Sequence, residues 1–462
     1  MASEHVARAS ASADPMAALV LELHPALKDS EIPYEAERCL FCGSETAKAP
    51  CTVACPAGID VPGFIQSLAH GEADRAAALI FAENPLGGSC ARVCPTEVLC
   101  EAACVLEREG RRPVSIARLQ RAATDLALRN PETSVPVHLP HNGLRVAVVG
   151  AGPAGMACAA TLAPLGYAVT IYDNRPEVGG LVRYAIAPYR QVREPLPQEA
   201  DRLRQMGVRF QLSTPVETAE GLSLLEREFD AVFLGIGLGE DADVHYPGDD
   251  LPGVYESLPF IEALKEGRPL PVGRRVAVVG GGNTAMDVAR ETLRLGAEEV
   301  AVLYRRTEAE MPAFRHEVLE AMEDGVRFLW LTLPVELHGL AHLESVRCVR
   351  MELGEADESG RRRPEVVPGS AFDLPVDTLV RAVGQQYRKG FLQLVEGIGN
   401  PDARIAVDTE SGQTANPKFF AGGDAVNGGG TVVDAVRHGK TAAFGIDRYL
   451  RRHSSPQGGR GQ

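Results

Sequence analysis

The chain has 462 residues, 45% hydrophobic and 24% charged, a size and mix that suit two or three domains with full cores and leave disorder and fibrous structure as poor readings. A formal charge of −15 argues against a sequence-independent grip on nucleic-acid phosphates, which takes clustered cations. No apolar run is long enough to cross a bilayer, and Met16–Leu21 is too short and lacks the basic flank of a secretory signal, so a cytoplasmic protein with neither nucleic acid nor membrane as partner is expected.

Eight of the ten cysteines fall between Cys39 and Cys104, and only Cys158 and Cys348 lie beyond. In a reducing compartment such crowding points to metal ligation rather than disulfides. The same region carries helical-looking stretches at Phe64–His70 and Ala73–Ala82. The order Cys39-x2-Cys42-x8-Cys51-x3-Cys55-Pro56 approximates the two-cluster ferredoxin run, with a longer second interval. A second group, Cys90, Cys94-Pro95, Cys100 and Cys104, supplies the remaining thiolates, and two 4Fe-4S clusters fit the count. Structural zinc is the alternative, since paired cysteine spacings serve it too. The C-x3-C-P element favours iron.

A Pro-punctuated connector, Pro131 to Pro140, leads from Leu144 into short β-branched runs followed by Gly-rich turns and helical periods, the pattern of βαβ units on a parallel sheet. The first unit runs from strand Val146–Val149 into Gly150-Ala151-Gly152-Pro153-Ala154-Gly155 and a small-residue helix through Ala163. Glycines there permit a tight turn, close approach of backbone to pyrophosphate and close helix packing, with the helix N-terminus facing the phosphate. The next strand, Ala168–Tyr172, ends in Asp173, an acceptor for ribose hydroxyls. The motif implies a dinucleotide without choosing between FAD and NAD.

A second opening of the same design follows, RVAVVGGGNTA from Arg275, with strand Val276–Val279, Gly280, Gly281, Gly282, Asn283, Thr284, Ala285 in the third glycine position, and Asp287 on the new helix. Its next strand, Val300–Leu303, ends in Tyr304-Arg305-Arg306 instead of a carboxylate. Guanidinium there suits the 2′-phosphate of NADPH, whereas an acid would suit NADH. NADPH is favoured and NADH remains the alternative; the pair also reads as an ordinary solvated strand end.

Together with these openings, the segments GGLVRYAIAPYR (Gly179–Arg190), YRR (Tyr304–Arg306), EMPA (Glu310–Ala313), RAVGQQ (Arg381–Gln386) and FFAGGDAVNGGGTVVDAVRHGKTAA (Phe419–Ala443) make the chain resemble a flavoprotein reductase family. That family includes the glutamate synthase small subunit and the N-terminal half of dihydropyrimidine dehydrogenase, and the likeness runs from about Glu37 to Tyr449. The stretch Asn84–Arg121 looks closer to the dihydropyrimidine dehydrogenase branch, especially its bacterial reductase subunit.

The resemblance implies an α/β fold of two Rossmann-like domains, one inserted in the other, behind an α-helical iron–sulfur domain. The implied spans are 1–140 for two clusters, 141–272 with 378–462 for FAD, and 273–377 for NAD(P)H. It further implies one cluster on Cys39, Cys42, Cys51 and Cys104, and another on Cys55, Cys94, Cys100 and the amide oxygen of Gln120, leaving Cys90 a bystander. From residue types alone Cys90 is the better iron ligand, and Gln120 would merely pack in a helix Ile116–Ala127. The insertion Gly43–Pro50 departs from the family. FAD is implied at Gly150, Gly152, Pro153, Ala154, Gly155, Asp173, Gly180, Leu181, Arg190, Gly423, Asp424, Thr431, Val432 and Val433, and NAD(P)H at Gly280, Gly282, Asn283, Thr284, Ala285, Asp287, Arg305 and Arg306.

The chemistry expected is hydride transfer from NADPH to flavin and single-electron relay through the clusters, with no catalytic side chain and Cys158 only a small core residue. The sequence holds no barrel domain for pyrimidine reduction, so delivery to a separate FMN-containing dihydropyrimidine dehydrogenase-type subunit is expected. The alternatives are the glutamate synthase large subunit, a ferredoxin-like acceptor, and a non-enzymatic zinc-stabilised nucleotide sensor.

Overall fold

The computed structural model describes residues 20, 22, 25–44, 46–129, 139–356, 362–394, 397–398 and 404–454. Most of Met16–Leu21, and 131–138 of the connector, lie outside the described residues. The chain divides into two compact units, 24–183 with 193–238 and 387–462, and 1–23 with 184–192 and 239–386.

In the larger unit the cysteine region is helical. Helix Val61–Ala69 holds the first stretch read from sequence except His70, its C-cap, and helix Ala73–Glu83 covers the second. The first starts where it does because Asp60 accepts the Gly63 N–H at 3.2 Å and Pro62 fits the first turn. Helix Ile116–Arg129 buries Ile116, Leu119, Gln120, Ala123 and Ala127, one stripe at helical spacing, so Gln120 lies on its inward face.

Among the described residues fourteen strands follow: β1 (Arg145–Val149), β2 (Ala168–Tyr172), β3 (Arg209–Gln211), β4 (Ala231–Leu234), β5 (Val254–Glu256), β6 (Arg275–Val279), β7 (Glu299–Tyr304), β8 (Arg327–Trp330), β9 (Thr332–His338), β10 (Ser345–Ala356), β11 (Arg362–Val366), β12 (Phe372–Pro375), β13 (Thr378–Arg381) and β14 (Phe419–Ala421). The larger unit holds the parallel sheet β14-β4-β1-β2-β3. Its apolar filling joins Ala147, Val232, Leu234 and Phe419 to Leu222 and Leu225 of helix Ala219–Glu228.

The smaller unit holds the parallel sheet β5-β13-β6-β7-β8. An antiparallel sheet of β9 to β12 packs on one side, with Leu337 and Val346 meeting Ala277, Val279 and Leu303. Phe260, Met286 and Val288 cover the opposite face through Val276, Val278 and Val300. In each parallel sheet the strand feeding a glycine loop, β1 or β6, sits third, where strand order reverses. Dinucleotides bind at that switch point, outside the carboxyl ends of the strands.

The two Rossmann-like openings and the helical region ahead of them are those expected from sequence. β5 and β13 pair in the second parallel sheet. The antiparallel β9 to β12 sheet was not foreseen.

Candidate cofactor sites

The glycine loop after β1 shows which of its glycines serve the chain and which leave room for a ligand. Gly150 has φ 106°, and a Cβ on it would stand 2.3 Å from the Gly235 carbonyl oxygen just beyond β4. A Cβ on Gly155 would stand 1.9 Å from the Gly150 oxygen, so the chain's own packing excludes any side chain at either place. Gly152 is different, with an ordinary φ of −76° and only Gly180 Cα at 3.9 Å from an added Cβ. It leaves a bare approach to backbone, and it precedes helix Pro153–Leu162, whose first N–H groups receive no side-chain cap. Uncapped N–H groups behind an open glycine suit a pyrophosphate.

The loop after β6 repeats the arrangement. A Cβ on Gly280, φ 143°, would lie 2.0 Å from the Ala382 oxygen beyond β13. Gly282 has φ −90° and nothing within 4 Å of an added Cβ, and it precedes the uncapped helix Asn283–Arg294. Ala285 is fully buried where the first loop has Gly155. Both sites therefore fit a dinucleotide phosphate on the same physical ground.

The remaining residues of the first site gather around its loop. The Asp173 carboxylate accepts the Ala151 N–H at 2.6 Å and the Arg175 N–H at 2.8 Å, holding the turn while each oxygen keeps a second lone pair. Gly179 donates to the Ala151 carbonyl at 2.8 Å, setting Gly180 and the exposed Leu181 beside Gly152. Gly423 donates to His438 Nδ1 at 3.2 Å, and an added Cβ there would come within 3.1 Å of Ala154 Cβ. Burial pushes the neighbouring Asp424 carboxyl up to about 6, and its Oδ1 accepts the Gly430 N–H at 3.1 Å. Thr431 and Asp434 cap helix Val432–Ser454 reciprocally, with Thr431 N–H to Asp434 Oδ2 and Asp434 N–H to Thr431 Oγ1 both 3.2 Å. Val433 is buried and Val432 half-buried at its start.

Arg190 belongs to the smaller unit. Its Nε donates to Asp287 Oδ1 at 2.9 Å, and a second nitrogen lies 2.9 Å from Glu317 Oε1. Two residues that the sequence reading gave to different cofactors are thus ion-paired to each other. Tyr189 adds an O–H donated to Asp287 at 2.5 Å, and buried Arg290 bonds Asp324 at 2.6 Å and Glu320 at 2.7 Å. Within this buried charge network Glu291 is pushed up to about 8, chiefly by burial. A carboxyl raised above its ordinary 4.5 binds its proton more tightly folded than unfolded, so its stabilising contribution is lost as pH rises toward about 8. The thermal midpoint of the smaller unit is accordingly expected to fall over that interval, and Glu291→Gln to flatten the slope, as read by melting curves at stepped pH.

At the end of β7, Arg305 is exposed, while Arg306 is buried with Nε donating to the Arg362 carbonyl at 2.9 Å. Asn283 Oδ1 accepts the Phe314 N–H at 2.9 Å, and Thr284 stands half-buried beside it.

In the cysteine region, Cys39, Cys42, Cys51 and Cys104 line one cavity, walled by Val61, Ile65, Leu106 and Ile116. Burial, with Cys39 and Cys104 adding to it, pushes the Cys51 thiol up to about 12, so an anionic set there needs a bound cation. Cys55, Cys94 and Cys100 neighbour one another in a second group, and the Cys94 thiol is raised first by its hydrogen bond with Cys90, then by burial. Gln120 Nε2 donates to the Gly87 carbonyl at 2.7 Å. A carbonyl can only accept, which fixes the amide and turns Oε1 away as a free acceptor. Among the described residues no three His, Cys, Asp or Glu side chains converge on a single metal-ion position.

Family models match two stretches: "Dihydropyrimidine dehydrogenase domain II, 4Fe-4S cluster" over residues 18–132 and "Pyridine nucleotide-disulphide oxidoreductase" over 144–439. The Glutamate synthase [NADPH] small chain of Escherichia coli (strain K12) is 36% identical over 450 residues, covering 93% of this chain and 94% of that one. The NADP(+)-dependent formate dehydrogenase subunit beta of Moorella thermoacetica is 38% identical over 430 residues, 87% of this chain and 60% of that one. Mycobacterium tuberculosis FprA in complex with NADPH has the same fold, with TM-score 0.57 at 22% identity over 68% of this chain and 85% of that one.

Proposed function

Because the chain belongs to the pyridine nucleotide-disulphide oxidoreductase family, with a 4Fe-4S domain of the dihydropyrimidine dehydrogenase type ahead of it, we propose that it is the electron-input subunit of a larger enzyme. It is an NAD(P)H-dependent oxidoreductase carrying FAD and 4Fe-4S iron. Bound flavin takes electrons in pairs and gives them up singly, and iron–sulfur centres relay them one at a time. The chain's own residues bind and orient. The observation that carries the reading is the pair of open glycines, Gly152 and Gly282, each before an uncapped helix, together with a cavity framed by four thiols.

In this proposal residues 1–140 hold two clusters, 141–272 with 378–462 the FAD, and 273–377 the nicotinamide cofactor, whose sheet takes β5 and β13 from the flanking spans. The first cluster rests on Cys39, Cys42, Cys51 and Cys104, and the second on Cys55, Cys94, Cys100 and Gln120 Oε1. Arg305 meets the 2′-phosphate of NADPH and Arg306 serves the fold. Arg305→Ala should raise the KM for NADPH by about 10- to 100-fold, the loss of one charge-assisted contact, and leave that for NADH nearly unchanged. Arg306→Ala should lower stability and affect both cofactors alike. Equal effects of Arg305→Ala on the two cofactors would remove the assignment.

The acceptor is a separate catalytic polypeptide. We favour an FMN-containing subunit that reduces uracil and thymine, on the likeness of Asn84–Arg121 to that branch. The end-to-end match to a glutamate synthase small chain favours a second reading, delivery to a glutamate synthase large subunit. Native co-purification, with uracil, thymine and glutamine plus 2-oxoglutarate as terminal acceptors, separates them. A glutamine amidotransferase-containing partner would displace the pyrimidine reading. Among the described residues no helix is long and apolar enough to cross a membrane.

A further inference from the structure

Glu199, on helix Leu196–Gln205, is fully buried, and its carboxylate accepts hydrogen bonds from a helix more than a hundred residues earlier. Its Oε1 accepts the Gly88 N–H at 2.8 Å and the Ser89 N–H at 3.0 Å, and its Oε2 accepts the Ser89 hydroxyl at 2.5 Å. Gly88 and Ser89 open helix Gly87–Val93, which has no side-chain cap of its own at Leu86. The orphan N–H groups of that first turn are therefore satisfied by a carboxylate supplied from elsewhere in the chain. Gly88 is what lets it in, since a Cβ there would stand 2.7 Å from Pro195 Cγ and 3.2 Å from Glu199 Oε1.

Both flanks of the capped turn lead to the second group of iron ligands. The Gly87 carbonyl accepts Gln120 Nε2 at 2.7 Å, and Cys94 closes the helix with its N–H on the Cys90 carbonyl at 3.0 Å. On its other side, helix Leu196–Gln205 is seated on the segment beside the first glycine loop. Leu196 Cδ2 fills the place where a Gly179 Cβ would go, 2.2 Å away, and Gly180 packs on Gly152.

We propose that Glu199 is a positioning residue for the second iron–sulfur cluster: by pinning Gly88 and Ser89 it holds the Gln120 amide and the Cys94 thiol where one cluster can use both. This rests on the reading that Cys55, Cys94, Cys100 and Gln120 hold that cluster.

The test uses the full chain, purified without oxygen, with iron and FAD quantified and the dithionite-reduced protein followed by electron paramagnetic resonance. Glu199→Ala should keep its FAD, lose about half its iron and lose the signal of one cluster. Glu199→Gln keeps an oxygen for the two N–H groups and an amide to donate to Ser89, so it should restore both iron and signal. If Glu199→Ala yields no soluble protein, Gly88→Ala, which pushes the carboxylate off the turn, should show the same selective loss. Full iron with a wild-type spectrum in whichever of these two variants is read, or no rescue by Glu199→Gln, overturns the inference. Wild-type protein with about four irons per FAD instead of about eight would instead overturn the two-cluster reading beneath it.

Discussion

Gly282→Val is expected to abolish flavin reduction by NADPH while leaving FAD, iron and reduction by dithionite intact. The position has ordinary backbone angles and no protein atom within 4 Å of an added Cβ, so the chain itself gives no reason for glycine and tolerates the change. A branched side chain there fills the approach to the uncapped N-terminus of helix Asn283–Arg294, where the pyrophosphate is to accept its hydrogen bonds. Losing two charge-assisted bonds costs about 3–6 kcal/mol, or roughly 10²- to 10⁴-fold, before the clash itself is counted. Stopped-flow absorbance at the flavin maximum reads the effect. Gly280→Val is the contrasting control, because its Cβ would stand 2.0 Å from the Ala382 oxygen and damages the fold. A Gly282→Val protein that NADPH reduces at the wild-type rate would remove the second site.

Gln120→Leu is expected to cost the protein about half its iron, while Cys90→Ser keeps all of it. The side chain of Gln120 is buried on the inward face of its helix and its amide is oriented by the Gly87 carbonyl, which leaves Oε1 as an unshared donor for iron. Leucine fills the same space without an oxygen but also gives up the Nε2 bond to the Gly87 carbonyl, so ligation is read from the anomalous map beside the iron content. Cys90 is buried too, and its thiol bonds Cys94, a role that serine's hydroxyl keeps. Iron analysis with an anomalous-scattering map decides between them. Iron lost from Cys90→Ser and retained in Gln120→Leu would reverse the assignment.

The parallel sheets were legible because β1, β2, β6 and β7 are short apolar runs that end on glycine or a charged residue, and each was read to within a residue or two. The sheet of β9 to β12 was not, since strands such as β11, Arg-Arg-Pro-Glu-Val and largely exposed, carry no alternating pattern. Arg190 follows the Gly179–Gly180 turn in sequence, and nothing there announces its ion pairs with Asp287 and Glu317 in the smaller unit. Arg305 and Arg306 read as a pair, yet in the bend after β7 Arg306 is buried with its Nε on the Arg362 carbonyl while Arg305 is exposed. Glu199 had no signal at all. A carboxylate that caps a helix 110 residues away looks, in sequence, like any acid on an amphipathic helix.

The most direct measurement is anaerobic: isolate the full chain, determine FAD and iron, add NADPH, and record absorbance and electron paramagnetic resonance together. The account predicts one FAD with about eight irons, bleaching at the flavin maximum, and signals from reduced iron–sulfur centres once NADPH is present. Protein that lacks flavin or iron after reconstitution, or holds both and stays oxidised with NADPH, would contradict it.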